Sequence, residues 1–340
     1  MPIIKSEIEA IFKRISSLRV GVIGDFAVDF YYDINYNTNE YSVETNKEVF
    51  WASKPHSSLG AAGNVVNNLS TLGIKNIQVF GCIGNDIYGR EMQNLFHDIK
   101  VDTKFLKVLS SDWDTCTYTK PMAKDGESNR LDFGTNNRLA DELFNELLGT
   151  LATSLHNLDV LVINQQFPNP LLNPKRIEQL NLLIAQFSAC LFVSDLRTYG
   201  SYIKNTILKV NTEEMARLLN VKEIDEADHE ACVVHGKTLQ TQIGDCLIVT
   251  RGEHGILYLD KEETQNVRAV SIKNEIDTVG AGDTVVAAFS ASRGAGASIQ
   301  ESLEIANLAA AVTVQKLQQT GTATLEEIIT VYQANSIQNI

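Results

Sequence analysis

The residues best placed to do chemistry lie late in the chain, in Asp277-Thr278-Val279-Gly280-Ala281-Gly282-Asp283-Thr284, followed by the apolar run VVAAFSAS. Small residues at Gly280, Ala281 and Gly282 let the backbone turn tightly into a helix whose first N–H groups stay unpaired. Such a helix start is an anion site. A carboxylate in its first turn, Asp283, stands where a nucleophile could meet a phosphoryl group. The competing reading is that Asp283 only complements the positive end of the helix. The segment is not a Walker A loop, since no Gly-Lys-Ser/Thr follows, and it is not G-x-G-x-x-G.

Four weaker signals precede it. Gly60-Ala61-Ala62-Gly63-Asn64 allows close backbone approach and then opens a helix with the Asn64 amide available for hydroxyl groups, or simply as a cap. Asp25 and Asp29 follow an apolar strand and suit sugar hydroxyls, though a turn or cap explains either one. Asn211-Thr212-Glu213-Glu214 comes straight after a strand, where Asn211 as N-cap and Glu214 as its capping-box partner is a complete structural explanation. Thr250-Arg251-Gly252-Glu253-His254-Gly255 is a Gly-rich strand-to-turn segment. The six histidines show no clustering.

The elements that must position these residues alternate along the chain. Short β-branched runs at 19–24, 78–81, 160–164, 191–195, 207–210 and 246–250 read as buried strands, with helical stretches at 63–72, 88–98, 174–188 and 212–219 between them. That alternation predicts an α/β fold with a mostly parallel sheet covered on both faces, and function at the carboxyl ends of its strands. Two polar stretches break the pattern. Residues 33–58 read as exposed strands, and 115–133 as a hairpin around Lys124-Asp125-Gly126-Glu127, with Asp-Gly as the turn signal. Together they are expected to form a small sheet standing off the main body. After Thr284 the chain reads as helical to about Gln318, and no linker marks a second domain, so 1–340 is expected to be one domain.

Composition narrows the class. The 29 basic against 42 acidic residues give a net charge of −13, which argues against nucleic acid as the main partner. Phosphorylated ligands stay open, because backbone amides and a metal ion bind phosphate locally. Five cysteines without a C-x-x-C read as reduced thiols. Lys5, Glu7, Glu9, Lys13 and Arg14 at helical spacing speak against a signal peptide, and no apolar run approaches a membrane span. The expectation is a cytoplasmic protein with no membrane partner.

The order of the five motifs resembles the ribokinase/PfkB family of carbohydrate kinases. That family runs from a strand ending in Asp, through a G-G-x-x-N-type turn, N-x-x-E and a T-x-G segment, to D-T-x-G-A-G-D. The likeness covers roughly residues 19 to 330. Within the family it is most similar to the kinase domain of the bacterial heptose-7-phosphate kinase/ADP-heptose synthase group, through GDFAVDFYY, LGAAGNVVNNLSTLG, TKPMAKDGESNRLDFG and IDTVGAGDTVVAAF. The resemblance implies a ribokinase-like three-layer fold with a β lid, and ATP-dependent phosphorylation of a sugar or sugar-phosphate hydroxyl. Asp283 would be the general base, with Gly280, Ala281 and Gly282 as the anion hole. Asn211, Glu214, Thr250, Gly252 and Asn307 would serve ATP, Glu214 holding Mg²⁺ through water. Asp25, Asp29, Gly60 and Asn64 would bind the sugar. Asp277 and the Val279 carbonyl match positions that hold a monovalent cation, K⁺, in some relatives.

The sugar half departs from the heptose kinases. Phe30 stands where they carry Arg, and their S-D-Y-x-K-G and D-P-K-G stretches are replaced by Asn164–Asn169 and Asp195-Leu196-Arg197-Thr198. Arg130 and Arg197 are then the candidates to grip a remote phosphate on the acceptor. The aromatic wall of Phe30, Tyr31 and Tyr32 suits an unphosphorylated ring as well. A nucleoside kinase of the same superfamily and a non-catalytic sugar-binding homologue are the alternatives. An adenylyltransferase half, with its H-x-G-H signature, is not expected. The lid's apolar face, taken to include Tyr41, Val49, Trp51 and Tyr118, needs cover, and a lid-to-lid homodimer would supply it.

Overall fold

A computed structural model describes residues 3–124, 126–317 and 319–338. Asp125 of the expected turn and Gln318, the expected end of the helical stretch, lie outside them. The first half runs α1 (Lys5–Ile15), β1 (Arg19–Gly24), β2 (Phe26–Tyr41), β3 (Glu48–Ala52), β4 (His56–Ala61), α2 (Ala62–Thr71), β5 (Asn76–Gly84), α3 (Ile87–Asp98) and β6 (Leu106–Leu109). Next come β7 (Cys116–Ala123), β8 (Gly126–Glu127), β9 (Leu131–Phe133), α4 (Asp141–Leu155), β10 (Val160–Gln165), α5 (Pro174–Ile184), β11 (Leu191–Leu196), β12 (Ile207–Asn211) and α6 (Thr212–Leu218). The chain closes with α7 (His229–Ile243), β13 (Leu247–Thr250), β14 (Ile256–Leu259), β15 (Thr264–Val267), α8 (Ala281–Gly294), α9 (Ile299–Thr313) and α10 (Leu325–Gln338).

The main sheet has the strand order β15-β14-β13-β12-β11-β10-β1-β5-β6. It is parallel from β6 to β13, and β14 and β15 add an antiparallel edge. Alternate residues of its buried strands feed two cores. Val20, Val22, Val160 and Val162 pack with α1, α2, α8 and α9, while Ile23, Leu161 and Ile163 pack with α4, α5 and α7. Burial on both faces is why these strands read as continuous apolar runs. Helix α8 is buried nearly all round, from Thr284 to Ser292, which anchors its N-terminus rigidly at the sheet edge.

The smaller sheet has the order β3-β2-β7-β8, with β4 pairing β2 and β9 pairing β7. The β7 arm folds back antiparallel, Met122 opposite Glu127 and Ala123 opposite Gly126. The two polar segments join in one sheet, and 115–133 folds back on itself as the turn signal predicts. β2 is a single long strand that begins at Phe26, inside the core, and pairs in parallel with β7 from Ala27–Cys116 to Asp33–Met122. Buried Phe26, Ala27 and Val28 root the sheet, so it is an extension of the core and not a free-standing flap. Tyr118 also differs from expectation: it faces inward, with its ring 6.3 Å from that of Phe167. Exposed aromatics stand on both faces of the sheet's outer part: Tyr36 and Phe50 meet on one, with ring centres 4.9 Å apart, and Trp51, next along β3, turns to the other, while Tyr41 and Val43 are exposed nearby. Helix ends at Thr313, short of the expected stop, and resumes as α10.

Candidate active site

The carboxyl ends of the parallel strands carry a cross-strand polar row. Gly24 pairs Asn164, Asn164 pairs Asp195, and Asp195 pairs Lys209, while Asn211 pairs Thr250 one step further on. Strand pairing puts these side chains on one edge, and α8 begins against it. Gly280 caps α8 with φ 79°, a left-handed conformation that glycine adopts without strain. A Cβ there would also lie 2.8 Å from Asn64 Nδ2. Asn64, in the first turn of α2, reaches across and donates to Asp283 Oδ2 at 2.8 Å.

The structure therefore brings two of the sequence candidates into direct contact, and others gather around them. Asp283 has its acid strength reduced, to a pKa of about 7, first by burial and then by Asp195 and Asp29; Asn64 and Lys209 oppose that shift. Gly60 faces Asp29 so closely that a Cβ would lie 3.1 Å from its carboxyl carbon. Asn211 and Glu214 form a capping box, Asn211 N donating to Glu214 Oε2 at 2.9 Å and Glu214 N to Asn211 Oδ1 at 2.7 Å. The structural reading of that pair thus holds, and it leaves the buried Glu214 carboxyl near Lys209, Asp195 and Arg197. Thr250 ends β13, where its hydroxyl donates to Val210 O at 3.4 Å. Gly252 follows with φ 50°. Asn307, on α9, donates from Nδ2 to Arg268 O at 2.8 Å. At the start of the α8 loop, Val279 N donates to Asp277 Oδ1 at 3.0 Å, and the Val279 side chain is exposed.

Asp25 is held by backbone donors. Its side chain is 1% exposed, and its two oxygens accept from the backbone N–H groups of Gln166, Phe167 and Leu171 at 2.8–2.9 Å. Burial lifts its pKa to about 6 against those three donors. Accepting from the β10–α5 loop, Asp25 holds that backbone in place.

Two buried lysines escaped the sequence reading. Lys120 on β7 lies 3.1 Å from Asp29 Oδ1 and donates to Tyr31 Oη at 3.0 Å. Lys209 on β12 lies 3.3 Å from Asp195 Oδ2, with Glu214 and Asp283 also acting on its charge. A Cβ on Gly282 would lie 2.9 Å from its Nζ, so the ammonium stands just behind the anion-site backbone. Burial disfavours both ammonium charges, yet the facing carboxylates hold both lysines protonated. The available signal was a single charge inside an otherwise apolar strand, as in ILKVN. Arg130 packs on Tyr118, and Arg197 lies near enough for its charge to act on it. The Arg130 guanidinium lies 4.5 Å from its ring centre and pairs with Asp132, while Arg197 is exposed and acts on Tyr118 and Glu214.

The pattern of the pfkB family carbohydrate kinases matches residues 22–326. The chain belongs to that family. Among curated relatives, this pfkB-family chain is 27% identical over 308 residues to the bifunctional protein HldE of Aliarcobacter butzleri, covering 90% of this chain and 63% of that protein. It is 29% identical over 314 residues to HldE of Desulfatibacillum aliphaticivorans, covering 92% and 62%. The chain thus spans under two thirds of the length of these relatives. Among solved structures it resembles phosphofructokinase-2 from Escherichia coli in complex with potassium (TM-score 0.73, 17% identity, 94% of this chain and 99% of that one). It also resembles Arabidopsis thaliana ribokinase complexed with ribose and ATP (TM-score 0.71, 18% identity, 92% and 98%). These likenesses establish the ribokinase-like fold. Among the described residues, no helix is long and apolar enough to cross a membrane.

Proposed function

We propose that this pfkB-family chain is one catalytic unit that phosphorylates a hydroxyl of a sugar phosphate, with a heptose 7-phosphate as the first acceptor to test. The observation that carries the reading is Asp283, held by Asn64 at 2.8 Å, at the open N-terminus of α8. In the proposed step the acceptor hydroxyl gives its proton to Asp283. Its oxygen bonds to the γ-phosphorus while the bond to the bridging β–γ oxygen breaks, and ADP leaves. Gly280, Ala281 and Gly282 would donate backbone N–H groups to the transferring phosphoryl, Ala281 on giving up its long 3.2 Å bond to Thr278 O, with Lys209 adding charge behind them. Positioning and charge stabilisation supply most of the catalysis such a transfer needs.

The residues fit Mg²⁺–ATP. Asp195 Oδ1 and both amide atoms of Asn164 are buried without a protein partner, beside the Glu214 carboxyl. Magnesium keeps much of its water and takes few protein ligands, so Glu214 acting through water suits it. When bound, the ion would neutralise phosphate charge. Thr250, Gly252 and Asn307 would line the nucleotide, and Asp277 with the Val279 carbonyl remains the candidate K⁺ position, a cation named in the phosphofructokinase-2 structure.

For the acceptor, Asp29, Gly60 and Asn64 would bind ring hydroxyls, with Lys120 setting the Asp29 carboxylate. Arg197, exposed, and Arg130, once released from the Asp132 carboxylate that now fills its fork, would receive a phosphate at the far end, because a guanidinium grips phosphate in a two-pronged fork. The lid segments, about 33–58 and 115–133, would close over it. Exposed Tyr41, Val43 and Trp51 would be covered in a lid-to-lid homodimer.

An ADP-release screen against pentoses, hexoses, their monophosphates, heptose 7-phosphate and nucleosides tests this. Turnover with a free sugar alone would overturn the phosphate assignment, turnover with nucleosides alone would move the acceptor class, and no turnover with any acceptor would remove the kinase reading.

A further inference from the structure

Asn64 can present either face of its amide to Asp283, and the two faces have opposite consequences. The NH₂ group donates and favours the carboxylate; the carbonyl oxygen accepts and favours the protonated acid. The structure shows what decides between them. Asn68, one turn later on α2 and 1% exposed, donates from Nδ2 to the Asn64 backbone carbonyl at 2.9 Å and to Asn64 Oδ1 at 3.2 Å. A backbone carbonyl only accepts, so it fixes the orientation of the Asn68 amide. That orientation turns Asn64 Oδ1 inward and its NH₂ outward, to Asp283 Oδ2. At the other end the fully buried Thr284 hydroxyl lies 2.9 Å from Asn68 Oδ1, its shortest contact and one that only accepts, with Gly280 O at 3.2 Å and Thr313 Oγ1 at 3.1 Å also in reach of its single proton. The chain of bonds runs from Thr284 through Asn68 and Asn64 back to Asp283, linking α2 and α8 in a closed loop.

We propose that Asn68 and Thr284 are positioning residues that lock the Asn64 amide donor-first against Asp283, so that Asp283 meets the acceptor hydroxyl as a carboxylate able to take its proton. This rests on reading Asp283 as the base. Neither residue touches substrate. Their effect is confined to which proton state of Asp283 the site favours. That choice is finely balanced, because the groups facing Asp283 pull in both directions: Asp29 from β2 and Asp195 from β11 against its charge, Lys209 from β12 and Asn64 from α2 in favour. In such a balance one hydrogen bond to a charged group, turned from donor to acceptor, is enough to move the titration by about one pH unit or more.

The test is the titration of Asp283 in the full chain, with Asn68→Leu and Thr284→Val against wild type. Carboxyl ¹³C signals of labelled aspartate, with Asp283 assigned through Asp283→Asn, read its midpoint without any substrate. Both variants should move that midpoint upward, Asn68→Leu by about one unit and Thr284→Val by less. With an active acceptor, the acidic limb of kcat should shift by the same amount. The loss should be about fivefold at pH 7, approach about tenfold at pH 6 and be close to nothing at pH 9, with KM for ATP and acceptor within about threefold. A packing role alone would lower the melting temperature, or lower kcat equally at every pH, and leave the midpoint in place. An unmoved midpoint in the folded variants overturns the proposal. Should Asn68→Leu fail to fold, Thr284→Val decides, since valine keeps the shape and loses only the hydroxyl. A wild type that turns over no acceptor removes the kinase reading while the carboxyl titration still decides the relay.

Discussion

Replacing Asp283 by Asn should make the nucleotide-free protein more stable while abolishing most of its turnover. Asp283 ionises near pH 3.8 in the unfolded chain and about pH 7 in the fold, principally because burial disfavours its charge. Between those values the folded state holds a proton that the unfolded state has released, so wild-type stability falls as pH rises from about 4 to 7 and levels off above. The full shift corresponds to roughly 4 kcal/mol. Asp283 keeps part of its surface open to the cleft, where water screens its charge, so about half of that, ~2 kcal/mol, is the expected cost. An Asn side chain removes the titration yet still offers an oxygen to Asn64, and Lys209 keeps its partner Asp195 at 3.3 Å. Asp283→Asn should therefore melt several degrees above wild type at pH 8 and together with it at pH 4. Its turnover should drop by about two to four decades, roughly 3–5 kcal/mol of barrier. Calorimetric melts of both proteins from pH 4 to 9, without nucleotide, provide the measurement. A stability difference that does not change with pH would refute the argument, because it would mean the carboxyl is not held against its charge.

Other perturbations separate the remaining roles. Glu214→Gln should raise the Mg²⁺ concentration for half-maximal activity; an unchanged requirement, in a metal titration of the rate, would leave Glu214 as a helix cap only. Lys209→Met should cost about 3–5 kcal/mol in denaturant unfolding at pH 8, since it strands the buried Asp195 carboxylate, and adding Asp195→Asn should restore most of that loss. Ala61 holds φ 51°, a backbone state costly for any residue with a side chain, so Ala61→Gly should stabilise the fold by about 1 kcal/mol. Trp51→Glu on the exposed lid face should shift a homodimer to monomer in analytical ultracentrifugation; a wild type that is monomeric at micromolar concentration would count against the lid interface.

The parts of the molecule legible in the sequence are those where one physical requirement dominates. Strands buried on both faces must be continuously apolar, and β1, β10, β11 and β12 were readable to within a residue or two for that reason. The tight turn into α8 needs small residues and a left-handed backbone, and Gly280-Ala281-Gly282 announces both. Pairing between elements distant in the chain was not legible. β2 passes from the core at Phe26 to the outer lid at Tyr41, so its burial fades along its length and its pattern reads as two different things. Asp25 looks like a ligand by type and position, and only the loop 141 to 146 residues later reveals that its oxygens are occupied. Lys120 and Lys209 look like surface charges interrupting strands until Asp29 and Asp195 arrive opposite them. These failures share a cause. A buried charge is tolerated only beside a counter-charge or enough hydrogen-bond donors, and each of these partners comes from a different strand or loop: Asp29 and Asp195 for the lysines, backbone N–H groups for Asp25. The chemistry of the cleft follows from the same constraint: carboxylates gathered for phosphoryl transfer repel one another, and the lysines inserted among them set how much of that repulsion Asp283 feels.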